Sequence, residues 1–295
     1  MVRKPDWLKK RISLNNLNIS RVRNLICSLQ LNTVCQSAKC PNIFECFSKK
    51  TATFMLMGDI CTRNCGFCGI KSGMPKTLDE EEPYRVARAV KEAELKYVVI
   101  TSVTRDDLSD GGSSHFAKTV IEIRKLNPST RIECLIPDFK GDIRNLEVLL
   151  KQHPDVLNHN METVRRNYNR VRKGADYETS LNILKSVKSI KTDIHTKSGF
   201  MLGLGETGKE IVQLLSDLRE AGCDIVTMGQ YLKPSGSNLS VEKYYRPEEF
   251  EDLEKLAKSF NFEAVMSGVF VRSSYGADII MRKILAKKEV SDQLR

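Results

Sequence analysis

The chain has 295 residues, of which 41% are hydrophobic and 28% charged, a composition that is typical of folded proteins and excludes an intrinsically disordered chain. Lysine and arginine number 47 against 37 aspartates and glutamates, and the net charge of +10 predicts either attraction to acidic partners or a basic surface without a specific partner. The sequence contains no signal peptide, membrane span or aromatic-plus-basic repeat, so we expect a cytoplasmic protein that binds no membrane and no nucleic acid.

The N-terminal region, residues 1–50, shows no strand–helix alternation and holds four of the nine cysteines. We interpret it as an extension that lies over a larger domain. Cytoplasmic thiols stay reduced, so clustered cysteines in such a protein indicate metal or redox chemistry rather than disulfides.

Six apolar, β-branched segments follow and predict six strands, at residues 53–57, 97–101, 131–136, 155–158, 193–201 and 224–229. Segments with helical periodicity separate them, at residues 84–94, 114–126, 142–151, 177–190 and 209–221. This alternation predicts an α/β fold with a parallel sheet, either open or curled into a partial barrel, and ligands at the carboxyl ends of the strands.

The C-terminal part contains one more predicted helix, which begins at Arg246-Pro247, and an apolar run at residues 262–266. We therefore expect the α/β domain to span residues 51–266 and a polar C-terminal tail to span residues 267–295.

Directly after the first predicted strand, Cys61, Cys65 and Cys68 form a Cys-x3-Cys-x2-Cys run. Three thiolates on one loop can hold a 4Fe-4S cluster and leave one iron open to a small molecule. A structural zinc site is the alternative, but it requires four ligands and no fourth lies nearby in the sequence. The run therefore favours a cluster.

This run, with the aromatic Phe67 before its last cysteine, resembles the signature of the radical S-adenosylmethionine (SAM) superfamily. The resemblance implies that the open iron binds the amino and carboxylate groups of SAM, and that the reduced cluster cleaves SAM to a 5′-deoxyadenosyl radical. It also implies the superfamily fold, here a partial (β/α)6 barrel with N-terminal and C-terminal extensions.

A second run, Cys35-x4-Cys40-x5-Cys46, resembles the auxiliary-cluster motif of lipoyl synthases. In that family the fourth ligand is a serine oxygen from a C-terminal Arg-Ser-Ser-Tyr motif, which occurs here at residues 272–275. The resemblance implies that Ser274 is the ligand, with Ser273 as the alternative. An alkoxide is a harder donor than a thiolate and binds cluster iron less firmly, which suits a cluster that is taken apart.

The resemblance covers residues 5–278 and adds further site residues. Family-like blocks lie mostly at the ends of predicted strands, at residues 101–108, 110–112, 136–139, 158–163, 171–177, 197–207 and 227–232. The implied catalytic residues are Ser274 and Arg272, and the implied SAM contacts are Thr101, Asn160, Arg172 and Gln230.

The chain departs from the family pattern at three positions. Gly276 and Asn238 stand where histidine is commoner, and Thr104 stands where aspartate is commoner. Gly276 adjoins the serine ligand, so it bears on the local geometry there.

The family implies a sulfurtransferase that inserts two sulfur atoms at C6 and C8 of a protein-bound octanoyl-lysine. These carbons are unactivated, so a radical from the cofactor is needed. One SAM-derived radical abstracts hydrogen from C6, the carbon captures a sulfide of the auxiliary 4Fe-4S cluster, and a second SAM repeats this at C8.

The family also implies partners. They are octanoylated lipoyl carrier domains, from a 2-oxoacid dehydrogenase E2 or the glycine cleavage H protein, an electron donor such as flavodoxin or ferredoxin, and an iron–sulfur carrier. We expect a monomer.

Two rival functions are less consistent with the sequence. Biotin synthases and methylthiotransferases are radical SAM enzymes with auxiliary clusters, but the position of the Cys35 run and the Arg-Ser-Ser-Tyr motif argue against both. An iron–sulfur sensor or electron carrier would not need six βα units.

Other motifs are weaker signals. Residues 203–208 match Gly-x-Gly-x-x-Gly, but Glu206 would crowd a pyrophosphate and the motif lies in the fifth unit, so we do not expect NAD binding. His159 is a candidate to face the cavity, and the isolated Cys134 is expected to fill the core. We expect hydrogen-bonded structural roles for His115, His153 and His195.

Overall fold

Buried aliphatic and β-branched residues form the strands of this protein, as their alternation with helical segments predicts. The computed structural model describes residues 4–10 and 16–293; the remaining residues of the two predicted extensions lie outside the described part. The strands are β1 (Asn32–Thr33), β2 (Thr53–Leu56), β3 (Ile60–Cys61), β4 (Lys71–Ser72), β5 (Tyr97–Ser102), β6 (Arg131–Leu135), β7 (Val156–Asn158), β8 (His195–Leu202), β9 (Ile225–Gln230) and β10 (Ala264–Gly268).

Helices cover the outer face of the sheet and form both extensions. They are α1 (Leu17–Ser28), α2 (Val34–Ser37), α3 (Ile43–Ser48), α4 (Glu82–Glu92), α5 (Ser113–Leu126), α6 (Ile143–Leu150), α7 (Tyr168–Val171), α8 (Tyr177–Ile190), α9 (Gly208–Glu220), α10 (Pro247–Lys258) and α11 (Ala277–Gln293). Short 3₁₀ turns lie at Asp6–Leu8, Phe139–Gly141 and Arg165–Asn167.

The main sheet has the strand order β1-β2-β5-β6-β7-β8-β9-β10. Every pair from β2 to β10 is parallel, and only β1 pairs antiparallel. The described residues show no pairing between β1 and β10, so the sheet is a partial barrel of the predicted α/β class. All six predicted strands are present, and the run at residues 262–266 adds a seventh parallel strand, β10.

The two extensions pack on different parts of the barrel. In the N-terminal extension, α1 buries Ile19, Val22 and Ile26 in the same core cluster as residues of β2 and α4. The predicted polar tail is instead helical over α11, which buries three apolar residues against the amino ends of β7 and β9. The carboxyl ends of the strands are thereby left to form the site. No helix in the described ranges is both long and apolar enough to cross a membrane.

Candidate active site at the carboxyl ends of the strands

A cavity of about 570 Å³ opens at the carboxyl ends of the strands. Its lining includes every site residue predicted from the sequence: Cys35, Cys40, Cys46, Cys61, Cys65, Cys68, Thr101, Asn160, Arg172, Gln230, Arg272, Ser273 and Ser274. The fold therefore brings residues from both chain extensions and from the carboxyl ends of β2, β5, β7 and β9 into one chamber.

The loop that carries Cys61, Cys65 and Cys68 leaves β2 and faces this cavity. Backbone N–H groups of Arg63 and Thr104 lie 3.4 and 3.3 Å from the Cys61 sulfur, and that of Ile70 lies 3.5 Å from the Cys68 sulfur. Donors of this kind stabilise thiolates and tune iron–sulfur centres.

Burial raises the pKa of Cys65 to about 11 and that of Cys68 to about 12. Thiols in such surroundings ionise only with a cation close by, and three thiolates with N–H donors match the protein side of a 4Fe-4S cluster. In the described part of the chain, no three side chains of His, Cys, Asp or Glu form a group that could hold one metal ion. The chemistry of three cysteine thiols, with backbone N–H donors beside Cys61 and Cys68, is what fits a 4Fe-4S cluster with an open iron.

Arg63 fixes the cysteine loop to two neighbouring strand ends. Its guanidinium donates to Asp106 over 2.7 and 3.0 Å and to Asp138 over 2.6 and 2.8 Å. Burial by itself would raise the pKa of Asp138, but the hydrogen bonds from Arg63 hold it below its ordinary value. Only 3% of the Asp138 side chain is exposed, so the carboxylate depends on this partner.

The variant Arg63→Gln is expected to lower the free energy of unfolding by about 3 kcal/mol, because it leaves a buried carboxylate without its cation. Urea denaturation at pH 7 measures this loss. The matched control is Arg144→Gln, since Arg144 is 88% exposed and pairs with Asp142 on the surface. An equal shift of the urea midpoint in both variants would contradict the role assigned to Arg63.

The second cysteine group lies in the N-terminal extension. Cys35 is on α2 and Cys46 on α3, with Cys40 between these helices. Burial raises the pKa of Cys35 to about 12 and that of Cys46 to about 11, and the charge of Cys40 adds to both shifts. The three cysteines line the same cavity, and the Cys40 N–H donates to the Cys35 carbonyl over 3.0 Å, so they form a second donor set for a cluster.

The C-terminal motif reaches these thiols by crossing the end of β9. A methyl group on Gly229 would lie 2.0 Å from the carbonyl oxygen of Val271, so only glycine leaves room for the chain there. Arg272 lines the cavity next to the two serines of the motif, and its guanidinium donates to the Val271 carbonyl over 2.6 Å. Ser273 and Ser274 line the same cavity.

The four predicted SAM contacts differ in their hydrogen bonds. Thr101 donates to the Leu135 carbonyl over 2.9 Å, and Asn160 bonds to Glu162 and to the Gly199 N–H over 2.9 and 3.1 Å.

Arg172 and Gln230 form hydrogen bonds that stabilise the wall of the cavity. Arg172 donates to the Asn160 carbonyl over 2.8 Å and to the Tyr168 hydroxyl over 2.6 Å. The Gln230 amide is fully used by the backbone, and its partners are Leu202, Tyr231, Lys243 and Tyr245.

Glu162 is a cavity residue that sequence reasoning missed. Its backbone has a φ of 63°, a left-handed conformation that is uncommon for glutamate and marks a constrained position. Burial raises the pKa of Glu162 above its ordinary value, and its charge acts on Cys65 and Cys68. The only signal in the sequence was its membership of the block at residues 158–163.

The structure accommodates all three departures from the family pattern. Asn238 donates to the Cys68 carbonyl over 2.8 Å and so holds the cysteine loop. Thr104 acts through its backbone, which contacts Cys61 and Thr62. Gly276 has a φ of 62°, where glycine is favoured.

The weaker motifs take structural roles. The Glu206 carboxylate accepts from the N–H groups of Gly203 and Leu204 over 2.6 and 2.9 Å and so occupies donors that a phosphate would need. His159 is buried behind the cavity wall rather than facing it, with Nδ1 2.9 Å from the Ile136 carbonyl, and burial lowers its pKa to about 4. The other predictions are confirmed: Cys134 is buried, and acidic side chains lie beside His115, His153 and His195.

Comparisons with known proteins agree with this geometry. The family model of the radical SAM superfamily matches residues 55–218. The lipoyl synthase of Caldanaerobacter subterraneus subsp. tengcongensis is 53% identical over 278 residues, which cover 94% of this chain and 97% of that protein. That of Shewanella pealeana is 50% identical over 280 residues, which cover 95% and 87%.

Solved structures share the fold at low sequence identity. Methylornithine synthase has a TM-score of 0.52 and 16% identity, with 88% of this chain and 85% of that chain covered. HydG, a maturase of the FeFe-hydrogenase, has a TM-score of 0.57 and 14% identity, with 86% and 73% covered. These likenesses concern the fold alone.

Proposed function

The chain belongs to the lipoyl synthase family of radical SAM enzymes, and we propose that its reaction takes place in the cavity at the carboxyl ends of the strands. The enzyme is a sulfurtransferase that inserts two sulfur atoms, at C6 and C8, into a protein-bound octanoyl-lysine and uses two SAM. One observation carries the proposal: a single cavity is lined by both cysteine triads, by Ser274 and by the candidate SAM contacts.

When bound, the two 4Fe-4S clusters and SAM supply the electron, the 5′-deoxyadenosyl radical and the sulfur. We assign Cys61, Cys65 and Cys68 to the cluster that binds SAM. We assign the auxiliary cluster to the three cysteines of the N-terminal extension together with a C-terminal serine. These four ligands are Cys35, Cys40, Cys46 and Ser274.

The cavity wall orients SAM beside the cysteine loop. We assign Asn160, Arg172 and Thr101 to this task, because each lines the cavity and is held by a partner in the wall. Gln230 takes part through its position in the wall, since its amide is engaged by the backbone. We add Glu162, which lines the cavity and whose carboxylate accepts a hydrogen bond from the Asn160 side chain.

The substrate chain is an unbranched alkyl group, and the cavity offers it an apolar wall. Met55, Val99 and Leu135 line the cavity from the interior faces of neighbouring strands. An aliphatic wall excludes water from carbons that have to react with a radical, and it fixes their distance from the reacting groups. Arg272 lines the same chamber as Cys40, and we assign it to stabilising negative charge on the auxiliary group.

Octanoylated carrier proteins are the substrates of this family. We propose lipoyl domains of a 2-oxoacid dehydrogenase E2 or the glycine cleavage H protein as the carriers, flavodoxin or ferredoxin as the reductant, and an iron–sulfur carrier that rebuilds the auxiliary cluster. The nine cysteines are all free, which suits a reducing cytoplasm. We propose that the enzyme acts as a monomer.

The rim of the cavity carries unpaired positive charge. Lys4, Lys39 and Lys233 line the cavity and are exposed, and none of them forms an ion pair within the described ranges. The loops that carry Lys39 and Lys233 both pack against Gly69. A methyl group on Gly69 would lie 3.5 Å from the Ala38 Cα and 3.2 Å from the Pro234 Cβ. This rim is complementary to an acidic carrier domain whose octanoyl-lysine enters the cavity.

The double variant Lys39→Glu/Lys233→Glu is expected to lower kcat/KM for an octanoylated carrier domain by about tenfold at low salt, because charge reversal removes steering toward an acidic face. Steady-state kinetics at low and at high NaCl measures this, and the difference should shrink at high salt. Lys185→Glu on α8 is the control, because this exposed lysine lies outside the cavity lining. An equal loss with a short octanoyl-lysine peptide would argue against steering.

The proposed function is tested by mass spectrometry of an octanoyl-lysine peptide after anaerobic incubation with reconstituted protein, SAM and a reductant. Gain of two sulfurs with loss of two hydrogens is the expected result. An intact peptide beside abundant 5′-deoxyadenosine would show a radical SAM enzyme that acts on another substrate.

A further inference from the structure

Residues 270–275, which include the C-terminal motif, are bonded to the N-terminal extension at both ends. Tyr275 donates its phenol hydrogen to Oε1 of Glu45 over 2.8 Å. Asn42 donates its side-chain amide to the carbonyl of Phe270 over 2.7 Å. The segment is thereby tied down on either side of its two serines.

The two residues of the N-terminal extension that form these hydrogen bonds lie close to the auxiliary cysteines in the sequence. Asn42 and Glu45 both lie between Cys40 and Cys46 in the sequence, on and just before α3. The two hydrogen bonds on either side of Ser274, to Phe270 and from Tyr275, are therefore made by residues that lie between cysteines of the proposed auxiliary triad. They fix the serine and the cysteines relative to each other.

Lys10 joins the two bonds into one network. Its ammonium donates to Oδ1 of Asn42 over 2.6 Å and to Oε2 of Glu45 over 2.5 Å, and it lies 5.0 and 5.7 Å from the ring centres of Phe270 and Tyr275. The side chains of Lys10 and Glu45 are each 27% exposed, so water screens this pair only in part. We call Lys10, Asn42, Glu45, Phe270 and Tyr275 the Lys10 clamp.

The bonds of the clamp use no thiol and no serine hydroxyl. They can therefore hold the segment without any cluster, unlike a link made through iron. On the proposed function, the auxiliary cluster gives up sulfide in each reaction, so it cannot serve as the lasting connection between the two chain extensions.

We infer that Glu45 is a positioning residue which, through the Lys10 clamp, holds Ser274 opposite Cys35, Cys40 and Cys46 whether or not the auxiliary cluster is present. This inference rests on the proposed function, because it assumes that the four residues share a cluster. Its consequence is that a spent site keeps its geometry until a new cluster is inserted.

Hydrogen–deuterium exchange of the full-length protein tests the clamp, with clusters bound and after their removal by a chelator. Glu45→Gln and Tyr275→Phe are each expected to speed exchange of the amides at residues 270–275 about tenfold in both states, because each loses a charge-assisted hydrogen bond. The double variant should exchange no faster than the faster single variant, since both changes break the same bond.

Lys49→Gln is the matched control. Lys49 also donates to Glu45, over 2.8 Å, but it is 62% exposed, follows the last residue of α3 and forms no hydrogen bond to the C-terminal segment in the described ranges. We expect wild-type exchange in this variant. Electron paramagnetic resonance of the reduced auxiliary cluster, recorded with the SAM-cluster cysteines replaced by alanine, should change in the Glu45 and Tyr275 variants and not in the control.

Unchanged exchange and unchanged spectra in Glu45→Gln and Tyr275→Phe would overturn the inference. Exchange that rises equally over the whole chain would also overturn it, because that would show a general loss of stability. A wild-type protein that binds only one cluster would instead refute the proposed function, and the two failures are thereby distinguished.

Discussion

Replacing Cys35, Cys40 and Cys46 together with alanine is expected to abolish sulfur insertion while SAM cleavage continues. The two cysteine triads line one cavity but belong to different segments, so each cluster can be removed separately. Iron content should fall from about eight to about four atoms per chain, since each cluster holds four. Iron analysis, 5′-deoxyadenosine formation and peptide mass spectrometry measure the three quantities.

The converse variant, with Cys61, Cys65 and Cys68 replaced by alanine, should lose the same amount of iron and also lose SAM cleavage. Cys27→Ser is the control, because this exposed cysteine lies outside the cavity lining. If the Cys35 triad variant kept the iron content of the wild type, the second cluster would have to be assigned elsewhere.

Gly229→Ala is expected to reduce sulfur insertion at least a hundredfold, because misplacing a reacting group by about 1 Å costs roughly that factor. The added methyl group would lie 2.0 Å from the Val271 oxygen and 3.0 Å from its carbonyl carbon. Both atoms are backbone, so the chain that leads to Ser274 has to shift. Peptide mass spectrometry measures the loss.

The control for this substitution is Gly208→Ala, at the first position of α9, where an added methyl group would have no atom within 4 Å outside its own chain neighbours and helix backbone. We expect wild-type activity from it. Thermal unfolding separates displacement from loss of folding, since overpacking of this kind costs about 1–3 kcal/mol and leaves the barrel folded. Wild-type sulfur insertion by Gly229→Ala would contradict the course of the C-terminal segment over β9.

The sequence predicted the barrel well because its strands are short buried runs separated by helical ones. It also predicted that the cavity residues would meet, since parallel strands end on the same side of the sheet. The seventh strand and α11 were harder to predict. β10 is only partly buried along its length, and α11 buries Ala277, Ile280, Met281 and Ile284, which all lie in its first half.

The roles of the side chains in the cavity could not be predicted in the same way, because they depend on tertiary contacts that the spacing of residues in the sequence does not reveal. Gln230 is the last residue of a buried strand and resembles a ligand, yet four backbone groups are hydrogen-bonded to its side-chain amide. Glu162 lies in a block that resembles the family, but its role could not be predicted, because nothing in the sequence indicates its left-handed backbone conformation. The Lys10 clamp escaped prediction because Glu45 and Tyr275 lie 230 residues apart and are ordinary surface residue types.

That separation has a consequence for biosynthesis. A ribosome that adds about 5–20 residues per second needs roughly 10–50 s to pass from Glu45 to Tyr275, and the whole barrel has to form between them. During this interval the N-terminal thiols have emerged and lack the segment that closes over them. The SAM-cluster loop receives its partners Asp106, Asp138 and Asn238 earlier in synthesis, so we expect oxidative damage in newly made protein to accumulate first at the auxiliary triad.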